Sequence, residues 1–88
     1  MSEGHDPDDA IGQVTHFFSH LSVAAVTLNA PLATGDRIHI RGHTTDLVQD
    51  VASMEVDHVS VEQAEPGDDV AMKVDGHVRE HDAVFRET

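Results

Sequence analysis

The segment GDRIHIRGHTTD, residues 35–46, gathers more chemically capable side chains than any other part of the chain. Arg37 and Arg41 are planar multidonor cations, His43 can stack or donate, and Thr44 and Thr45 add hydroxyls where a strand gives way to a loop. With Gln49 just beyond, such a group suits phosphates or unpaired bases. The competing structural reading makes it an outward strand face whose arginines pair with neighbouring acids at little energetic gain. The residues alone leave both open. The eight histidines raise metal binding, and His16 with His20 is the closest arguable pair. A four-residue spacing aligns ligands on a helix, but FFSHLS reads as a hairpin turn and no third ligand is nearby, so no metal is expected. Ser19 with His20, and Thr44 with His43, are adjacent in sequence, which on a strand sends their side chains to opposite faces. Asp68 with Asp69 and Asp8 with Asp9 read as solvated loop acids. The expectation is a protein without catalytic residues or cofactors.

The elements that must position these residues are strands. From Ile11 onward, short bursts of Val, Ile and Phe alternate with Gly, Pro, Asn and Asp, predicting strands at 12–18, 21–28, 37–41, 47–56, 58–63, 69–74 and 83–86, with no helix. PLATGDRIHI and AEPGDDVAMKV repeat one pattern of turn, Gly-Asp and alternating strand. The glycine supplies a positive φ and the aspartate can bond nearby backbone amides. Ile38 and Ile40 should point to one face and Arg37, His39 and Arg41 to the other. Residues 1–10, acidic and nearly devoid of apolar side chains, predict a disordered leader, and 11–88 a single domain.

Seventeen acids against five Lys and Arg give a formal charge of −12. Self-repulsion of that order opposes folding at low ionic strength, whereas molar salt shortens the Debye length to about 3 Å. A salt-adapted origin is the expectation, with the acids read as evenly spread for solvation. The chain has no cysteine, which excludes disulfides and thiolate chemistry. With neither a signal peptide nor an apolar span in view, the chain reads as cytoplasmic, monomeric and free of membrane or DNA partners.

The run from 14 to 86 carries a family resemblance. GDRIHIRG, the TTD that follows, VQDVASMEVD and PGDDVAMKV resemble, in order, the β-barrel that forms the second domain of elongation factor Tu and related translation GTPases, and more closely the small translation elongation factor-like proteins. The chain is also similar to the C-terminal barrel of collagenase-like peptidase-family proteins, where K/R-G-H-T-T-D precedes a Q-x-V-x-S-M strand. Here that pattern stands at 41–46, then Gln49, Val51, Ser53 and Met54. The resemblance implies an all-β fold, a closed six- or seven-stranded Greek-key barrel. It implies neither GTP hydrolysis, since no P-loop is present, nor peptidase chemistry, since the barrel is an accessory in its longer relatives. The implied role is docking on ribosomal RNA, tRNA or a translation or RNA-modification protein through Arg37, Arg41, His43, Thr44, Thr45 and Gln49. The alternative it implies is an accessory barrel acting in trans with a collagenase-like enzyme.

Overall fold

A computed structural model describes residues 9–87. The predicted leader falls mostly on residues 1–8, outside the described residues. Every assigned element is a strand: β1 (Gly12–Phe18), β2 (Val23–Leu28), β3 (Leu32–Ala33), β4 (Arg37–Arg41), β5 (Asp46–Asp50), β6 (Met54–Val56), β7 (Val59–Val61), β8 (Gln63–Ala64), β9 (Asp69–Lys73) and β10 (Ala83–Arg86). Eight of them form one sheet in the order β5-β4-β10-β1-β2-β9-β6-β7, and β3 pairs with β8. All pairings are antiparallel.

The all-β class holds, but the closed barrel does not. Among the described residues no ladder joins β5 to β7, so the sheet curls and stays open. The β3–β8 pair, the bond from the Thr34 amide to the Glu62 carbonyl (3.0 Å) and one side chain bridge the curl. Gln49, on the β5 edge, donates from Nε2 to the Lys73 carbonyl (3.0 Å) and accepts at Oε1 from the Asp75 amide (2.7 Å), at the end of β9. The concave face collects Val14, Val26, Ile38, Ile40, Met54, Val70, Met72 and Val84, all nearly inaccessible to water.

The predicted strand 47–56 is two strands. Val51 is buried, and its backbone is taken by the Asp36 carbonyl and the Gly35 amide (both 2.8 Å). The chain therefore leaves β4 at Asp50 and joins β9 at Met54. β6 and β7 are joined by Asp57 (φ 53°) and His58 (φ 67°), the paired positive angles of a type I′ turn.

The repeated Gly-Asp turns are borne out and prove to be threefold. Gly35 (φ 91°) precedes Asp36, whose amide bonds the Ala33 carbonyl (3.1 Å) while its carboxylate accepts from the Ala33 amide (2.9 Å). Gly67 (φ 92°) and Asp68 repeat this with Glu65 (3.0 and 2.9 Å). Asp82 does the same with Arg79 (3.1 and 2.8 Å), but there His81 occupies the glycine's place at φ 77°. Without the glycine, the third copy is invisible to a reading that looks for glycine.

Candidate interaction surface

Arg37, His39 and Arg41 do lie on the outward face of β4, with Ile38 and Ile40 buried behind them. Acids stand directly across on β5. Arg37 meets its cross-strand partner Asp50 at 2.9 Å, and Asp46 lies opposite Arg41. His39 Nε2 is 2.5 Å from Asp46 and its Nδ1 is 3.5 Å from Glu87. The hydrogen bond from His39 holds the Asp46 carboxyl below its ordinary value, with the charges of His39 and Arg41 adding to it. Arg37 and His39 are thus paired with acids within the domain, and the exposed Arg37–Asp50 pair is of low energetic value.

The other proposed contact residues divide. His43 and Thr44 are exposed in the β4–β5 loop, whereas Thr45 is 6% and Gln49 4% accessible. Gln49 cannot meet a partner, because its amide is spent on Lys73 and Asp75. The loop's glycine is structural too: a Cβ at Gly42 would stand 1.8 Å from Asp82 Oδ1. The RGHTTD element therefore closes a hairpin over the buried Asp82.

A different surface emerges at the tip of the β1–β2 hairpin. The acids are not evenly spread: residues 10–35 contain no Asp, Glu, Lys or Arg. Within that stretch Phe18 and Leu21 are 41% and 58% accessible. A bulge in β1 aims the side chains. Val14 faces Val26 but His16 faces Ala25, so Thr15 is extra and the alternation shifts by one. Without it, His16 and Phe18 would follow Val14 inward. With it, Phe17 turns to the core and His16 and Phe18 stand together outside, ring centroids 4.4 Å apart.

The tip is pinned by its own backbone. The Leu21 amide bonds the Phe18 carbonyl (3.1 Å), the Ser22 amide bonds Ser19 (3.3 Å), and Ser22 accepts from the Val74 amide (2.8 Å). The 75–81 segment lies alongside. His77 meets Phe17 edge to face at 4.8 Å, and Glu80 is 3.3 Å from His16. Phe17, Ser19, His77, Val78, Arg79 and Glu80 line a shallow groove beside the tip. Sequence reasoning missed this surface because it searched for groups that do chemistry. The signal was a missing one, an uncharged run carrying FF and L in a highly acidic chain.

No protein-family model matches the chain. It is 42% identical over 76 residues to an uncharacterized protease of Methanocaldococcus jannaschii, an alignment covering 85% of this chain and 19% of that protein. The chain thus spans about a fifth of the length of the curated relative it matches. Among solved structures, the C-terminal domain of a candidate U32 peptidase from Geobacillus thermoleovorans superposes with a TM-score of 0.87 at 16% identity, covering 98% of this chain and 100% of that one. Its selenomethionine variant gives 0.82 at 17% identity, covering 89% and 98%. The fold is that of the U32 C-terminal domain. Of the two resemblances carried by the sequence, the one to collagenase-like proteins is supported. The translation-factor identity is not, and neither the relative nor these structures bears on RNA. Among the described residues no helix is long and apolar enough to cross a membrane.

Proposed function

We propose that this chain is a non-catalytic docking domain of the kind found at the C-terminus of U32 peptidases, and that it seats on the catalytic portion of such a protein. The observation that carries the reading is the asymmetry of coverage. Nearly the whole chain aligns with a protease, yet it accounts for only 19% of that protein. On this reading the chemistry of the relative belongs to the remaining four-fifths, and the part shared with this chain is an accessory to it. Isolation of the same fold as a C-terminal domain supports treating it as a discrete unit.

The surface is consistent with docking. On the β4 stripe that would serve RNA, Arg37 and His39 are paired with acids, while an uncharged apolar patch stands exposed elsewhere. The test is reconstitution from purified components. The Methanocaldococcus jannaschii protease, expressed without the segment that matches this chain, is mixed with this domain and run by sedimentation velocity at molar KCl. A 1:1 complex supports the reading. Independent sedimentation of the two components refutes it, as would peptide hydrolysis by this chain alone.

A further inference from the structure

Among the described residues the exposed large apolar side chains are Phe18, Leu21, Val48 and Val59. Two are isolated among acids. Val48 lies on β5 between Asp46 and Asp50, and Val59 follows the Asp57–His58 turn across from Val56, beside Glu55. Phe18 and Leu21 instead share one hairpin tip, in the only long stretch of the chain without a formal charge. On a chain of net charge −12, an acid-free exposed surface suits contact better than hydration. Carboxylates suit a face that remains in water and oppose one that is to be covered.

The margin of the patch is close to electrically balanced, in contrast to the acidic remainder of the molecule. Lys73 pairs with Val23 at the root of the tip, and Arg79 lines the adjoining groove. His16, His20 and His77 bring three of the eight histidines to the same end. The acids nearby are Asp75 and Glu80, the latter engaged with His16. At the base of the hairpin, far from the tip, Thr27 donates to Asp69 (2.7 Å). An aromatic centre within a charge-balanced margin fits a partner face that is apolar at its centre and polar at its rim.

We infer that the β1–β2 hairpin tip, centred on Phe18 and Leu21 and flanked by His16 and His77, is the surface by which the domain seats on the catalytic portion of a U32-type peptidase. This rests on the function proposed above and adds which face makes the contact and what chemistry receives it. The bulge at Thr15 is the device that presents the aromatic side chain outward, and the Ser22–Val74 bond fixes its direction. Phe18 is the expected anchor, since large aromatic residues at the centre of a patch carry most of an interface's energy.

The proposal is tested by isothermal titration of the full chain into the Methanocaldococcus jannaschii protease lacking its matching segment. Three forms are compared: the natural chain, F18D/L21D, and R37A/R41A. Both double variants alter side chains outside the core, and matching thermal melts verify that each is folded. The natural chain and R37A/R41A should bind alike, and F18D/L21D should weaken Kd by at least about tenfold. Equal binding by F18D/L21D overturns the surface while leaving the functional reading intact. Failure of the natural chain to bind overturns the occupant together with that reading. Self-association of the natural chain that F18D/L21D abolishes would assign the tip to a second copy, which also overturns the occupant.

Discussion

The side-chain amide of Gln49 spans from the β5 edge to the backbone of Lys73 and Asp75, accepting from Asp75 at 2.7 Å and donating to Lys73 at 3.0 Å. It imitates one rung of a β-ladder between segments that lie at opposite sides of a five-strand walk through the sheet. A polar residue buried in this way is satisfied on both its donor and its acceptor, as a buried amide must be.

Replacing Gln49 with Leu keeps the approximate volume and removes both bonds, leaving the Asp75 amide and Lys73 carbonyl without their partner. The expected loss is about 2–3 kcal/mol, read from denaturant midpoints at molar KCl. A change below about 0.5 kcal/mol would mean that water replaces the amide at no cost and that the curl does not depend on it.

The three aspartate turns predict opposite signs for exchanges at one structural position. Gly35→Ala and Gly67→Ala place a Cβ in open space but at φ near 90°, so each should cost about 1 kcal/mol through the backbone alone. His81→Gly relieves the same strain at φ 77° and should be neutral to stabilising by up to about 1 kcal/mol. Thermal melts of the three variants check this. Destabilisation by His81→Gly would show that the imidazole makes a contact outweighing its backbone strain.

Asp46 should titrate below the ordinary aspartate value of 3.8, because His39 donates to its carboxylate. A depressed folded-state value favours the ionised, folded form. That stabilisation is complete above the unfolded-state value and is lost as pH falls through the lower folded one. Carbon-detected NMR titration of the Asp46 carboxyl measures the midpoint directly, and His39→Ala should raise it. An unchanged midpoint in His39→Ala would remove His39 as the cause.

With a net charge of −12 and few paired acids, the fold should weaken as KCl is lowered from molar to tens of millimolar. Melting temperature followed by circular dichroism should rise steadily with salt. A curve flat across that range would contradict the salt-adapted reading of the composition.

The strands were legible where alternation is clean. β1 and β4 match their expected spans because Val14, Ile38 and Ile40 mark the buried face and their neighbours are polar, and β10 matches as a short apolar run around Val84. The break after Asp50 was not, since Val51 is as apolar as a strand residue and only its backbone partners reveal the corner. β3 and β8 are two residues each, too short for any pattern. Openness of the sheet could not be read either, because the links across it are a two-residue ladder and a glutamine whose partners lie 24 and 26 residues away. The arginine stripe was placed on the right face, yet its pairing with Asp50 and Asp46 depends on strand register. The hairpin tip went unread because the Thr15 bulge reverses which of Phe17 and Phe18 faces out.

The most direct test of the central claim is a hydrogen-exchange footprint of the domain, free and mixed with the catalytic portion of the Methanocaldococcus jannaschii protease at molar salt. The account predicts added protection at residues 16–22 and 75–81, with β4 and β5 unchanged. Protection confined to residues 37–50, or none anywhere, would contradict it.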